Sequence, residues 1–251
     1  MITFNLFVYG IVFGSFFNVV GLRVPIKKSI VAPRSACPTC GHQLRAWELI
    51  PVGSYLIQGG KCRGCQSRIS PIYPITELIT GVLFALAPIF VGWTYELVVA
   101  LTLISLLMII FVSDIHYMLI PDKILLVFSG IFLFERFFTP LTPWWDSILG
   151  ATVGFLLLFA IMLISKGGMG GGDVKLYGVL GFVLGTKLVL LSFFLATLFG
   201  AVIGIFAMLI KLVERRQPIP FGPFIVAGTL FSYFYGEELI DYYLNFITYG
   251  F

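Results

Sequence analysis

ISLLMIIFVSD, residues 104–114, is an apolar run that ends in a carboxylate, and it decides how this chain folds. A carboxylate beside hydrocarbon is costly, so an ionisable residue at the end of such a run is a functional-site hypothesis. A second acid, Asp173, follows the glycines 170–172 and opens another apolar run. We expect Asp114 and Asp173 to lie at the same face of a set of membrane-spanning helices.

The composition is that of an integral membrane protein. Of the 251 residues, 59% are hydrophobic and 11% are charged, and the mean hydropathy is +1.03. An average globular chain carries roughly 25% charged residues, so this chain has more apolar surface than a soluble core could cover. The apolar runs are continuous rather than alternating. They therefore argue against a transmembrane barrel and predict an all-α, polytopic membrane fold.

About eight transmembrane helices are predicted from these runs. The first run has no basic residue ahead of it and is followed by Arg23, so we expect a span and not a cleaved signal peptide. The sixth run is short for a crossing of about 20 residues. The predicted spans cover residues 3–24, 72–92, 97–113, 123–139, 146–165, 174–186, 188–212 and 221–247.

The basic residues give the expected orientation. With eight spans, fourteen of the 16 Lys and Arg residues fall on one side, and Arg136 and Lys187 fall on the other. The positive-inside rule makes the basic side cytoplasmic. Both termini are therefore expected outside, with Asp114 and Asp173 open to the cytoplasm. A seven-span arrangement would break this split, which favours keeping the short sixth span.

The longest polar segment, residues 25–71, is predicted to be a small cytoplasmic domain that binds zinc. It contains two Cys-x-x-Cys pairs, Cys37 with Cys40 and Cys62 with Cys65, separated by 21 residues. Such pairs are typical of a closed, structural zinc site with four cysteine ligands. An iron–sulfur centre, a plain thiol pair and disulfides are alternatives, and a reducing cytoplasm argues against disulfides. The positive charge of the loop already follows from the topology, so no nucleic acid partner is expected.

Each aspartate also has a simpler structural explanation. Asp114 suits a helix end at the membrane interface, and Asp173 suits an N-cap. Asp122 competes with Asp114, although N-capping the fourth span is its natural task. Two carboxylates that can meet and share a proton are the minimal equipment of an aspartic protease. The two histidines, His42 and His116, do not make a credible metalloprotease site.

The motifs, taken in order, resemble a known family. The stretch Gly170-Gly171-Gly172-Asp173 is similar to the G-x-G-D signature of intramembrane aspartyl proteases. The chain as a whole resembles the bacterial type IV prepilin peptidases, which are bifunctional leader peptidases and N-methyltransferases. The matching elements cover nearly the whole chain; they are residues 14–20 with 23–25, Pro33-Arg34-Ser35, Ile50-Pro51 with Ser54-Tyr55, Tyr73-Pro74 with Glu77, Asp114 with Ile120-Pro121-Asp122, Gly172-Asp173-Val174-Lys175, and Pro220-Phe221-Gly222-Pro223.

This resemblance implies a reaction and its residues. It implies cleavage of the leader of prepilins and pilin-like proteins at a Gly-Phe bond, on the cytoplasmic face of the bacterial inner membrane, by Asp114 and Asp173. It implies methylation of the new N-terminus with S-adenosylmethionine, for which Gly60 and Glu77 are the candidate cofactor-binding residues. It also implies Zn²⁺ on the four cysteines. The implied domains are a first helix (1–24), a zinc loop (25–71) and an aspartyl protease core (72–251).

The chain departs from the family pattern in two places. The stretch Gln58-Gly59-Gly60-Lys61-Cys62 stands where Arg-Gly-Arg-Cys is common, and Ile72 stands before Tyr73 where Arg is usual. Both departures touch the cytoplasmic loop and leave the aspartates intact. They therefore bear on methyl transfer more than on proteolysis.

Two other classes of protein are alternatives. An ion-coupled membrane transporter would also combine intramembrane acids with a glycine-broken helix. Acids at one face and the absence of evident repeats count against it. A membrane scaffold that recruits a partner through the zinc loop would leave the aspartates without a role. The particular prepilin substrates and the oligomeric state are left open.

Overall fold

The computed structural model describes residues 2–166, 168–211 and 219–249, and it is built from helices. Within these residues the β-type pairings are isolated bridges in the cysteine loop. The all-α prediction is therefore confirmed. The helices are α1 (Ile2–Arg23), α2 (Gly53–Ile57), α3 (Ile72–Val91), α4 (Glu96–Tyr117), α5 (Asp122–Phe138), α6 (Asp146–Ile164), α7 (Gly171–Leu209) and α8 (Gly222–Tyr249), with a short 3-10 helix at Ala46–Leu49.

Within the part of the chain that the structure describes, five helices are long and apolar enough to cross a membrane: α1, α3, α4, α6 and α7. The remaining long helices are less suited to crossing: α5 has 17 residues, and α8 carries Glu237, Glu238 and Asp241 in its second half. Each of the eight predicted spans overlaps a helix. The sixth lies within α7, and the seventh, 188–212, follows α7 to Leu209 and ends at residue 212, outside the described residues. The count of eight crossings stays a prediction.

The chain forms two compact units, Met1–Val112 and Ser113–Phe251. In the first unit, α1 packs closely on α3 through glycines. A Cβ atom added at Gly10 would lie 2.7 Å from the Cα of Gly81, and one added at Gly14 would lie 2.8 Å from the Cα of Glu77. Two glycines four positions apart on α1 therefore let the helix backbones touch, which is how small residues promote helix association in lipid.

Two buried hydrogen bonds link the same pair of helices. Asn18 of α1 is buried; its amide donates to the carbonyl oxygen of Tyr73 at 3.2 Å and accepts from the hydroxyl of Thr76 at 2.7 Å. Both partners lie in the first turns of α3. A buried amide with both ends satisfied fixes the register of the two helices, because losing either partner would leave a polar group unpaired.

In the second unit, α7 packs against α6 and α8. Gly150 and Gly181 face each other so closely that neither position has room for a Cβ atom. On the other side of α7, a Cβ atom at Gly228 of α8 would lie 2.6 Å from the amide nitrogen of Ala196. The hydroxyls of Ser192 and Thr229 are 2.9 Å apart and link α7 to α8. Glycine again sets the helix separation.

Helix α7 is broken at Gly185, whose φ of 78° and ψ of 177° no helix contains. The side chain of Arg136 donates to the carbonyl oxygen of Val183 at 2.6 Å, at the end of the first half. The carboxylate of Asp146 accepts from the amide of Thr186, at the start of the second half. A cation at a helix C-terminus and an anion at an N-terminus are both favourable. The break explains why the sixth predicted span was short.

Candidate active site and cysteine site

Asp114 lies in the last turns of α4 and is 6% exposed. The backbone N–H of Gly222, the first residue of α8, donates to its Oδ2 at 2.6 Å. A Cβ atom at Gly222 would itself lie 2.6 Å from that oxygen. Position 222 therefore admits only glycine while the carboxylate keeps this place. The sequence placed Gly222 in a motif but gave no role for it.

Asp173 lies in the first turn of α7, at the third helical position. The N-cap is Gly170, in an extended conformation, so the expectation that Asp173 itself caps the helix is off by three residues. The backbone of Gly170 hydrogen-bonds back to the Asp173 carboxyl group, as the acid of a capping box does. The helix start therefore orients this side chain, and the carboxylate complements the positive end of the helix.

The structure brings the two aspartates into electrostatic reach of each other. Gly172 packs against Ile120, so that a Cβ atom at position 172 would lie 2.8 Å from the Cβ of Ile120. This contact joins the glycine loop before Asp173 to the segment that follows Asp114. Asp114 is buried and Asp173 is half-buried. Two acids so placed repel when both are ionised, which favours a state in which they share one proton.

Asp122 behaves differently from these two acids. It is exposed, it is the first residue of α5 after the N-cap Pro121, and its carboxylate pairs with Nζ of Lys175 at 2.8 and 2.9 Å. A solvent-exposed ion pair of this kind contributes little stability, roughly 0.2–1 kcal/mol. Its position suits tethering the start of α5 to the first turns of α7.

The four cysteines converge in the first unit. All four sulfur atoms lie within 4.8 Å of one another. The Sγ atoms of Cys37 and Cys65 are 3.8 Å apart, and those of Cys40 and Cys62 are 3.9 Å apart. A tetrahedral zinc centre with Zn–S bonds of about 2.3 Å has sulfur atoms about 3.8 Å apart. The donor set and its spacing therefore fit a zinc ion.

The two Cys-x-x-Cys segments repeat one local structure. The amide of Cys37 donates to the carbonyl oxygen of His42 at 2.9 Å, and the amide of Cys62 donates to that of Ser67 at 2.9 Å. The isolated bridges Ala36–Gln43 and Lys61–Arg68 occupy matching positions. Gly41 and Gln66, which follow the second cysteine of each pair, both have positive φ, 73° and 60°. The loop therefore contains a structural repeat that the sequence analysis missed.

The thiols differ in how readily they ionise. Backbone hydrogen bonds from Cys40 and Thr39, with the Ser67 hydroxyl, lower the pKa of Cys37 from 9.0 to about 5. Hydrogen bonds from Ser67 also lower the pKa of Cys65. The thiolate is the form that binds metal. The loop therefore stabilises the ionised form at one cysteine of each pair.

A buried acid lies beside the cysteines. Glu48 is 6% exposed, and its Oε2 accepts from the amide of Arg45 at 2.9 Å and lies 3.2 Å from Nε2 of His42. The Arg45 amide, and then His42, hold the pKa of Glu48 below its usual range. The sequence signal was available, since Glu48 is the one acid in a basic segment, but sequence alone gave it no partner.

The candidate methyl-transfer residues are engaged within the protein. Gly60 is buried, and a Cβ atom there would lie 2.9 Å from the hydroxyl oxygen of Tyr55. Glu77 is 7% exposed; its Oε2 accepts from the amide of Val52 at 2.7 Å, and the Ser15 hydroxyl also reaches its carboxyl group. The assignment of Gly60 and Glu77 as cofactor-binding residues stays a prediction.

Comparison with known proteins gives consistent matches over both units. Residues 8–91 match the bacterial peptidase A24 N-terminal domain, and residues 101–205 match the type IV leader peptidase family. A prepilin leader peptidase/N-methyltransferase of Bacillus subtilis is 47% identical over 240 residues, which are 96% of this chain and 97% of the relative. One of Pseudomonas aeruginosa is 32% identical, covering 94% of this chain and 91% of the relative. No solved structure matches this chain. The chain belongs to the type IV leader peptidase family.

Proposed function

We propose that this chain cleaves the leader from type IV prepilins and pilin-like proteins and then methylates the new N-terminus. Family membership makes it a peptidase, and the relatives that match most of its length are named for both activities. The observation that carries the peptidase half is the pair Asp114 and Asp173, held within electrostatic reach by Gly222 and Gly170.

Peptide cleavage needs a base and an acid in one place. One ionised aspartate takes a proton from a water molecule, which attacks the scissile carbonyl carbon. The other aspartate, kept protonated, polarises the carbonyl oxygen, and the pair then supplies a proton to the leaving amine. Burial of Asp114 and repulsion between the carboxyl groups support one shared proton. The same two side chains thus stabilise the oxyanion and protonate the leaving nitrogen.

The proposed substrate suits the place of the two acids. A prepilin carries a basic leader at the cytoplasmic face and an apolar helix in the bilayer, so a Gly-Phe bond between them would lie at the interface. Eight crossings of the inner membrane, with both termini outside, would set Asp114 and Asp173 at this face. The five long apolar helices and the charge distribution support this arrangement.

The remaining assignments concern the cytoplasmic loop. We assign structural Zn²⁺ to Cys37, Cys40, Cys62 and Cys65, which supports a loop too small for a stable core of its own. The division into a first helix (1–24), a zinc loop (25–71) and a protease core (72–251) is the proposed functional one. When bound, S-adenosylmethionine supplies the methyl group, and the neutral N-terminal amine of the cleaved chain receives it.

Leader cleavage by purified protein tests the peptidase. A prepilin in detergent would be incubated with wild type, Asp114→Asn, Asp173→Asn and Asp122→Asn, and the products read by gel shift and mass spectrometry. We expect the first two variants to lose at least about 10²–10⁴-fold in rate, the range of one acid–base group. Asp122→Asn, which removes only an exposed ion pair, should cleave like wild type. Cleavage by Asp114→Asn or Asp173→Asn would refute the assignment.

Methyl transfer is tested separately. Pre-cleaved pilin with a free N-terminal phenylalanine would be offered to wild-type protein with isotopically labelled S-adenosylmethionine. Label on the pilin N-terminus supports the second activity. Absence of label, with cleavage intact, would leave a peptidase alone. Absence of both activities across several prepilins would favour the alternative function, an ion-coupled membrane transporter.

A further inference from the structure

Val52 occupies a backbone conformation that a β-branched residue rarely adopts. Its φ is 58° and its ψ is −52°, and the amide of Gly53 donates across it to the carbonyl oxygen of Pro51. This is the positive-φ form of a γ-turn, which is rare and strained. A valine at positive φ is an outlier, and such strain persists only where surrounding structure imposes it.

Glu77 supplies the restraint. Its Oε2 accepts from the amide of Val52 at 2.7 Å, across 25 positions of sequence. A hydrogen bond to a buried carboxylate is roughly twice as strong as one between neutral groups. Glu77 lies on α3 beside the α1–α3 contact, where Gly14 packs against its Cα. The α1–α3 pair therefore holds Glu77 in place, and Glu77 in turn holds the strained turn at Val52.

The turn is connected to the metal site by a short path. It begins α2 (Gly53–Ile57), and Tyr55 of α2 lies under Gly60. The amide of Gly60 donates to the carbonyl oxygen of Tyr55 at 2.9 Å, and the carbonyl of Gly60 accepts from the amide of Ile69 at 2.8 Å. Gly60 stands two residues before Cys62. The second cysteine pair is thus held to the helices through Tyr55, the Val52 turn and Glu77.

We propose that Glu77 is a positioning residue for methyl transfer, which holds the cysteine loop on α1 and α3 by restraining the turn at Val52. This inference rests on the methyltransferase half of the proposed function. In this assignment Glu77 acts through the turn at Val52 and not by touching the cofactor or the methyl group that is transferred. Its carboxylate is already occupied by the Val52 amide and the Ser15 hydroxyl.

Four variants test the assignment, with cleavage and methylation measured side by side. Glu77→Ala should keep cleavage and lose methylation by about 10²-fold, the cost of a misplacement of about 1 Å. Glu77→Gln still offers an oxygen to the Val52 amide and should keep methylation within about threefold, a loss of under about 1 kcal/mol. Val52→Gly removes the strain, since glycine adopts positive φ freely, and should restore methylation in the Glu77→Ala background.

Thr80→Val is the matched control, because Thr80 is buried one turn away from Glu77 and its hydroxyl hydrogen-bonds within α3. Its methylation and cleavage rates should both match those of wild type.

Amide exchange at Val52 gives a readout that does not depend on methylation. Glu77→Ala should speed exchange there by about 10-fold or more, the loss of a charge-assisted hydrogen bond of about 1.5–3 kcal/mol. Glu77→Gln should speed it less. The proposal is overturned if Glu77→Gln abolishes methylation with exchange unchanged, or if Val52→Gly fails to rescue Glu77→Ala. If wild type transfers no methyl group, the methyltransferase half of the proposed function fails. Unchanged amide exchange at Val52 in Glu77→Ala would separately show that Glu77 does not restrain the turn.

Discussion

Gly222 and Asp114, 108 positions apart, are joined by a 2.6 Å hydrogen bond from the backbone N–H of the first to Oδ2 of the second. The bond aims the N-terminus of α8 at a buried carboxylate. It satisfies one carboxylate oxygen without adding a positively charged side chain, so the acid keeps the capacity to hold or release a proton. This single contact ties the last described helix to the proposed catalytic pair.

The first prediction concerns the glycine at this contact. Gly222→Ala should reduce cleavage by about 10²-fold, because the new Cβ would occupy the space of Oδ2 and shift the Asp114 carboxylate. Gly171→Ala is the matched control: position 171 begins α7, and a Cβ atom there meets nothing within 4 Å. Cleavage rates of the two purified variants decide the matter. Equal rates would show that Asp114 can move without cost.

The second prediction concerns the break in α7. Gly185→Ala should destabilise the protein by about 1–3 kcal/mol, since this backbone conformation is nearly exclusive to glycine and Asp146 fills the space. Gly178→Ala lies in the same helix with ordinary contacts at 3.6 Å, and should be neutral or stabilising by up to about 1 kcal/mol. Thermal unfolding in detergent compares the two. A stable Gly185→Ala variant would contradict the proposed capping of the two helix halves.

The third prediction concerns the metal. Wild type should contain one zinc ion per chain, and Cys62→Ser should contain none, because a buried thiolate is replaced by a poor ligand. Ser67→Ala removes a hydroxyl 3.0 Å from Sγ of Cys65 and should weaken zinc binding about 10–100-fold. Arg68→Ala, which changes a side chain next to it in sequence, serves as control. Elemental analysis and chelator competition measure both effects, and full zinc content in Cys62→Ser would exclude the site.

The fourth prediction uses the repeated structure of the cysteine loop. Gln66 adopts positive φ where the first segment has Gly41. Gln66→Gly should therefore tighten zinc binding by about 0.5–1 kcal/mol, and Gly41→Gln should weaken it by about the same amount. Metal binding reports this because it is coupled to the folding of such loops. Opposite signs for the two substitutions are required. A loss of affinity in Gln66→Gly would mean that its side chain has a role of its own.

The sequence located the helices well because burial in helices and lipid requires long apolar runs. It located the break in α7 to within two residues, since the sixth and seventh predicted spans end and begin at 186 and 188. It could not predict how the break is stabilised. Arg136 and Asp146 reach it from 47 and 40 positions away, and only the folded chain brings them there.

The sequence predicted which cysteines and aspartates come together, but not which residues hold them in place. Cysteine spacing predicted the sulfur cluster, and the glycine loop marked Asp173. Glycines at close contacts, such as Gly222, look like ordinary turn residues in sequence. The turn at Val52 runs against local preference, because valine disfavours positive φ, so no propensity argument could find it. Its cause is a carboxylate on another helix.

Each cysteine pair contributes one buried and one exposed sulfur: Cys37 and Cys62 are buried, and Cys40 and Cys65 are exposed. A metal ion held by all four would therefore be shielded on one side and open to water on the other. An oxidant arriving from solution would meet Cys40 and Cys65 first, because these two cysteines are the exposed ones. These two belong to different pairs. Their oxidation would remove one ligand from each half and release a bound metal ion, so a loop folded around such an ion would respond to the redox state of its surroundings.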